Sequence, residues 1–217
     1  MKALILVGGY GTRLRPLTFS KPKPLIEFAN KPILWHQVKA LVEVGVTEVI
    51  MAISYQPECM LDYMKELEAE FSIKVTASIE DEPLGTAGPI KLAKEKLLSD
   101  PTQEDFFVFN SDIICQFPLK KLLEFHKARK AEGTLMVTQV EDPSRYGVIL
   151  FDETGLIQDF IEKPKEFISN KINAGLYLLN KSIIERIPDR PTSIEREVFP
   201  KAAADKRLYA LVLEGIW

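Results

Sequence analysis

With 217 residues, 46% of them hydrophobic and 27% charged, the chain is long enough to bury a substantial core and has the composition of a globular domain. Its 31 acidic residues outnumber 28 basic ones, for a formal net charge of −3. No general positive field therefore draws nucleic acid or other polyanions, and any anion must be caught by a local site. No apolar run approaches the roughly 20 residues of a membrane span, and the short apolar run after Met1-Lys2 meets Gly8-Gly9 without a leader-type cleavage site. Cys59 and Cys115 stand outside any disulfide or zinc spacing, which points to a reducing, cytoplasmic compartment and inert thiols.

Residues 3–7 form a β-rich run ending at Gly8-Gly9. Apolar residues at Ile33, Leu34, Val38, Leu41 and Val42 recur at helical period and stop at Gly45, predicting a helix over 33–44. A second buried strand is expected over 48–54. Pro57–Phe71 reads as a charged helix with Met60, Leu61, Met64 and Leu67 on its apolar face. A third strand over 74–78, a third helix over 87–98, a fourth strand over 106–109 and a fourth helix over 119–131 continue the alternation. Short strands separated by helices predict an open parallel sheet covered on both faces. After Gly133 strands dominate, over 134–140, 146–151, 157–162 and 173–179. One helix is expected over 193–204, with Ser193 as its N-cap and Glu195 and Glu197 in the positive first turn. A last strand over 208–213 leads to Trp217. No linker or repeat interrupts this single domain, whose first half is parallel and whose second half is β-rich.

Chemistry concentrates after the first strand. In Gly8-Gly9-Tyr10-Gly11-Thr12-Arg13-Leu14-Arg15-Pro16-Leu17-Thr18 the glycines let backbone N–H groups approach a phosphate, and the arginines add bidentate donors. Lys21-Pro22-Lys23-Pro24 places further cations on stiff, extended backbone. Together they make a polyphosphate cradle in an otherwise acidic chain. It is not a dinucleotide fingerprint, which needs glycine where Leu14 stands, nor a P-loop, which needs Gly-Lys-Ser/Thr. Phe109-Asn110-Ser111-Asp112 puts a carboxylate at the end of a parallel strand, a place suited to holding Mg²⁺ over a phosphate, although Ser111-Asp112 taken alone reads as a plain Asx turn. The charged run 65–70 reads as a solvated helix face, and His36 and His126 as structural.

The glycine loop followed by Lys21-Pro22-Lys23-Pro24 resembles the signature of the sugar-phosphate nucleotidyltransferases. Glu82-Pro83-Leu84-Gly85-Thr86-Ala87-Gly88, Asn110-Ser111-Asp112, Tyr146-Gly147-Val148, Phe160-Ile161-Glu162-Lys163-Pro164 and Asn173-Ala174-Gly175 match further family segments in order, so the likeness spans the chain. It implies an α/β, Rossmann-like nucleotide-diphospho-sugar transferase fold with a mostly parallel mixed sheet flanked by helices. Under it, Leu6, Val7, Gly8, Gly9, Gly11, Thr12, Arg13, Lys23, Gly85, Thr86 and Asn110 bind the nucleotide. Asp112 carries Mg²⁺ and borders the sugar, which Gly147, Glu162, Lys163 and Asn173 also contact. Arg13 and Lys23 neutralise the leaving pyrophosphate, and Lys163 holds the attacking phosphate.

The Gly85-Thr86-Ala87-Gly88 turn is similar to that of the guanylyl members. Within this resemblance the expected substrates are GTP and mannose 1-phosphate, and the products GDP-mannose and pyrophosphate. Uridylyl, adenylyl or thymidylyl transfer to glucose 1-phosphate, and a non-catalytic regulatory relative that only binds nucleotide sugar, stay open alternatives. Family members place a second metal-binding aspartate just after the tryptophan matching Trp217 and add a C-terminal left-handed β-helix used in assembly, as homo-oligomers or with a homologous regulatory subunit. Residues 1–217 are thus expected to be a truncated nucleotidyltransferase domain that binds nucleotide and turns over poorly.

Overall fold

The computed structural model describes residues 1–8, 11, 15–19, 21–54 and 57–217. Its centre is a strand, β1 (Lys2–Val7), whose residues alternate between two cores: Leu4 joins one, while Ala3 and Ile5 join the other. Strands β4 (Glu48–Ile53), β5 (Lys74–Ile79) and β6 (Asp105–Asn110) run parallel with it in the order β5-β4-β1-β6. Two residue pairs between them, Glu27–Phe28 (β2) and Lys31–Pro32 (β3), form a small separate hairpin that sequence patterning does not predict.

The β-rich half does not stand apart. Strand β10 (Lys171–Asn180) lies antiparallel against β6, and β7 (Gly133–Gln139) lies antiparallel against β10. Strand β11 (Leu208–Val212) closes that edge parallel to β7. A hairpin of β8 (Gly147–Phe151) and β9 (Ile157–Glu162) hangs from β10 through the Ile172–Val148 pair. Among the described residues both halves are therefore one nine-stranded mixed sheet.

Helix α1 (Ile33–Glu43) buries Leu34, Val38 and Leu41 on the face its spacing predicts. It stops where Gly45, at φ +92°, donates to Val42 O while Val46 donates to Leu41 O, the paired bonds that close a helix on a left-handed residue. Helix α2 (Pro57–Phe71) keeps its predicted bounds. The third predicted helix is instead two, α3 (Gly88–Leu92) and α4 (Lys94–Leu97), because Ala93 at φ −80°, ψ 2° interrupts the ladder. Helix α5 (Leu119–Arg129) ends two residues early, since Lys130 turns left-handed at φ +48°. The last predicted helix begins as a π-turn over Ile194–Val198, where Phe199 N–H reaches back to Ile194 O. The chain becomes α-helical only at α6 (Phe199–Ala204), because Pro200 has no N–H to continue a four-residue ladder. Ser193 does cap this segment, accepting from Arg196 N–H.

Below the sheet, at the amino end of β1, the ammonium of Lys2 is buried against Glu48 at 3.0 Å, with Lys74 at 3.0 Å on the other carboxylate oxygen. Lys2 also donates to Lys96 O and the Ser99 hydroxyl. Burial pushes the Glu48 carboxyl up, but hydrogen bonds and charge from Lys2 and Lys74 more than offset it, leaving the group below its ordinary value. Glu48→Ala strands the Lys2 charge and is expected to cost about 3–5 kcal/mol in urea unfolding. Because the folded-state pKa is depressed, this contribution is present above the unfolded carboxyl value and fades as pH falls through the folded one. The wild-type advantage should therefore shrink below roughly pH 4.

Candidate active site

The carboxyl ends of β1, β4, β5 and β6 open into a cleft of about 400 Å³. Leu6, Val7 and Gly8 enter it from β1, Ala52 and Ser54 from β4, Glu80 from β5, and Asn110, Ser111 and Asp112 from β6, while Lys23, Gly85 and Thr86 close it from the side. A second cleft of about 420 Å³ shares Thr86, Asn110 and Asp112 with the first and continues to Arg145, Gly147, Glu162, Lys163, Asn173, Glu195, Arg196 and Trp217. The residues singled out from sequence thus gather in two adjoining clefts with Asp112 at their junction. Gly11, at φ +57° with its carbonyl accepting from the Thr18 hydroxyl at 2.8 Å, stands apart from both linings. Gly9, Thr12 and Arg13 lie outside the described residues.

Asp112 and Lys23 are ion-paired, with their side chains 37% and 25% exposed. Pro22 and Pro24 flank Lys23 in a single helical turn, Lys23–Leu25, which aims the ammonium across the cleft. A residue not foreseen from sequence sets the loop that bears Asp112. Gln37, buried on α1 within the stripe of Leu34, Val38 and Leu41, donates to Asn110 O at 2.9 Å and Ile113 O at 3.0 Å. An amide inside an apolar helix face is the signal that could have found it, because a buried polar group has to be paired.

The segment 84–87 is zipped to 192–195. Thr192 donates to Leu84 O, and Ala87 donates to Thr192 O, each at 2.9 Å. The Thr86 hydroxyl accepts from Ile194 N–H at 2.9 Å and donates to Glu195 Oε2 at 2.5 Å. Gly85 at φ +79° lets the Thr192 carbonyl approach where a Cβ would overlap it. Glu80, also unforeseen, accepts from Leu84 N–H at 3.2 Å; burial pushes its carboxyl up despite that bond.

On the other side, Gly147 and Glu162 are register partners across β8 and β9. A Cβ at Gly147 would stand 2.8 Å from both Glu162 Oε2 and the Phe160 ring, so glycine makes the room this carboxylate occupies. Burial pushes the Glu162 carboxyl up, the Glu195 charge adds to that, and Lys163 and Arg196 partly offset it. Lys163 sits at φ +50°, donates its N–H to Tyr146 O at 3.0 Å, and keeps its ammonium 3.7 Å from Glu162 Oε1. A left-handed lysine costs about 1 kcal/mol over glycine, so the cation is held there against backbone preference.

Strand β10 breaks register between Asn173 and Tyr177. In this bulge Asn173 accepts from Gly175 N–H at 3.0 Å and donates to the Tyr177 hydroxyl at 2.7 Å. Gly175, at φ +76°, lets the bulge approach Asn110, whose Nδ2 lies 2.7 Å from where a Cβ would be. The Trp217 indole donates to Ala174 O at 2.9 Å. Bulges re-aim side chains beside active sites, and this one turns Asn173 toward the second cleft.

Among the described residues no group of three or more His, Cys, Asp or Glu side chains is arranged to hold a metal by itself. Asp112 offers one hard oxygen donor at the junction of the clefts. That fits a divalent cation held by one carboxylate and completed by substrate phosphates. The histidines are bound up structurally: His36 Nε2 meets Phe28 O at 2.8 Å, and buried His126 is hydrogen-bonded to the Thr134 hydroxyl at 2.8 Å. Cys59 and Cys115 are unbridged, and burial pushes the Cys115 thiol up to about 11.

A family model described as nucleotidyl transferase matches residues 2–217. Over 218 residues the chain is 60% identical to mannose-1-phosphate guanylyltransferase 1 of Arabidopsis thaliana, covering all of this chain and 60% of that protein. It is 58% identical over 216 residues to the mannose-1-phosphate guanylyltransferase catalytic subunit beta of Drosophila pseudoobscura pseudoobscura, covering 58% of it. The chain thus spans about 60% of the length of the curated relatives it matches. Among solved structures, HddC from Yersinia pseudotuberculosis complexed with GMP-PN superposes with a TM-score of 0.78 at 30% identity, covering 98% of this chain and 90% of that one. No helix among the described residues is long and apolar enough to cross a membrane.

Proposed function

The chain belongs to the nucleotidyl transferase family, and from that premise we propose that residues 1–217 form a domain that transfers a guanylyl group from GTP to mannose 1-phosphate. The observation that carries this reading is the pair of adjoining clefts meeting at Thr86, Asn110 and Asp112. One cleft has the size and lining for a nucleotide, and the other sets carboxylates, an asparagine and cations around a hydroxylated, phosphorylated acceptor. The names of the plant and insect relatives support mannose 1-phosphate and guanylyl transfer. The name "catalytic subunit" of the insect relative supports an assembly with a related subunit for the longer protein. Lone, unbridged cysteines support a cytoplasmic setting.

In the reaction, a phosphate oxygen of mannose 1-phosphate attacks the α-phosphorus of GTP in line. A new phosphorus–oxygen bond forms, the α–β bridge breaks, and its electron pair leaves with pyrophosphate. The acceptor is already ionised at neutral pH, so positioning and charge neutralisation do the work and no general base is required. Lys163 holds and orients the attacking phosphate, while Lys23, with Arg13 of the glycine loop, neutralises the departing pyrophosphate. Mg²⁺ bound to Asp112 and substrate oxygens would supply Lewis-acid charge stabilisation. Glu162 and Asn173 hold sugar hydroxyls. Leu6, Val7, Gly8 and Asn110 bed the nucleoside, with the backbone of Gly85 and Thr86 along the base.

Glu80 supports guanine. Guanine presents two adjacent N–H donors on its pairing edge, and a carboxylate accepts both; uracil and thymine present one donor, and adenine a donor beside an acceptor. In a thermal-shift panel of GTP, ATP, UTP and dTTP with Mg²⁺, GTP is expected to give the largest shift. Glu80→Gln should cut the GTP advantage over UTP by about tenfold in affinity. The advantage belongs to the ionised carboxylate, so it should also fade as pH falls through the raised Glu80 pKa. A larger shift with UTP than with GTP would overturn the guanylyl assignment.

A further inference from the structure

Three acidic side chains line the second cleft, Asp112, Glu162 and Glu195, and the reaction above gives a task only to the first two. Glu195 is half-buried, and one oxygen of its carboxylate, Oε2, accepts both the Thr86 hydroxyl at 2.5 Å and the Ser193 hydroxyl at 2.8 Å. Thr86 is itself held by Ile194 N–H, so both of its hydroxyl roles are used. A carboxylate anchored by two donors at one oxygen keeps a fixed direction, and its other oxygen retains lone pairs for a ligand in the cleft.

The charges around it narrow what that ligand is. The negative charge of Glu195 is close enough to disfavour ionisation of Glu162. An anion placed between them would add to the repulsion. An uncharged ring bearing hydroxyls instead supplies donors to both, while Lys163 and Arg196, which line the same cleft, remain for a phosphate.

We propose that Glu195 is a second sugar-reading carboxylate, accepting a hydroxyl of the acceptor ring opposite Glu162, and that Thr86 is its positioning residue. This deepens the function proposed above and rests on that reading. Since Thr86 also lines the first cleft, the same bond ties the loop beside the base to the loop beside the sugar.

The test is calorimetric titration of GDP-mannose and GDP into the 217-residue chain and into Glu195→Gln, Thr86→Val and Thr86→Ser. Wild type should bind GDP-mannose more tightly than GDP. Glu195→Gln should weaken GDP-mannose by about tenfold or more while leaving GDP within about twofold, which also shows that the variant is folded. Thr86→Val frees Glu195 but also unties Ile194 N–H from the loop beside the base, so it should weaken GDP-mannose by more than it weakens GDP, and Thr86→Ser, which keeps the hydroxyl, should restore both. Among singly deoxygenated GDP-mannose analogues, one should bind wild type and Glu195→Gln alike, because the hydroxyl being read is gone. Equal weakening of GDP and GDP-mannose by Glu195→Gln would make the residue a mere loop support and overturn the proposal. So would unchanged GDP-mannose binding in a wild type that prefers it to GDP. If wild type shows no such preference, the acceptor reading of the cleft has failed, and the Glu195 assignment falls with it.

Discussion

Replacing Asp112 with asparagine is expected to remove most of the gain that Mg²⁺ brings to GTP binding and to lower turnover by about a thousandfold. The carboxylate stands where both clefts meet and is paired with Lys23. Without a divalent cation it repels a triphosphate and occupies the lysine that should greet it. Asparagine is nearly the same size, removes the charge and releases Lys23. GTP affinity without Mg²⁺ should therefore rise about three- to tenfold, whereas the gain on adding Mg²⁺ should largely vanish. Titrations with and without the cation read this directly. A variant that binds GTP with the wild-type response to Mg²⁺ would remove Asp112 from the metal site, whatever happened to turnover.

The second large effect is expected at Gly85. Its φ of +79° is a left-handed value, and an added Cβ would overlap the Thr192 carbonyl, which is backbone and cannot rotate away. Gly85→Ala should break the bonds joining 84–87 to 192–195 and destabilise the chain by about 3 kcal/mol, combining strain with a lost loop contact. GTP affinity should fall about a hundredfold, because the same loop walls the nucleotide cleft. Gly8→Ala is the control. A Cβ there meets the Ser54 hydroxyl at 3.2 Å, a side-chain contact that can give by a few tenths of an ångström. Urea unfolding should separate the two variants, whereas GTP titration does not, because Gly8 itself lines the cleft; equal destabilisation would mean that the zipped loops do not hold this wall.

The parts of this architecture that patterning reveals are those governed by local chemistry. Strands β1, β4 and β6 are apolar on both faces because both faces are covered, and such runs end sharply at Gly8, Ser54 and Ser111. Of the candidate site residues, Lys23 between its prolines was visible for the same reason, whereas Asp112 and Lys163, each at a strand end that alone reads as a turn, were singled out only by the resemblance to known nucleotidyltransferases. What stayed hidden depends on separation. Thr86 and Glu195 meet across 109 positions, and nothing local marks either as the other's partner. The antiparallel insertion of β10 between β6 and β7 merges two apparent halves into one sheet, and strand direction has no signature in alternation. The break at Ala93 and the π-turn at Ile194–Val198 arise from geometry that helical period averages over. Glu80 was overlooked because a glutamate after a strand looks like solvated surface until the cleft beside it is seen.

The central claim is the pairing of guanine with mannose 1-phosphate in one transfer. It is met most directly by competition: GTP, ATP, UTP and dTTP at equal concentration, with mannose 1-phosphate and glucose 1-phosphate together, incubated with this chain and Mg²⁺ and resolved by mass spectrometry. Product ratios in such a mixture report relative kcat/KM and nothing else. However slow the turnover of this chain, GDP-mannose should dominate among the nucleotide sugars formed, in step with pyrophosphate. A UDP-, ADP- or dTDP-sugar as the main product, or pyrophosphate released without any nucleotide sugar, would contradict the account.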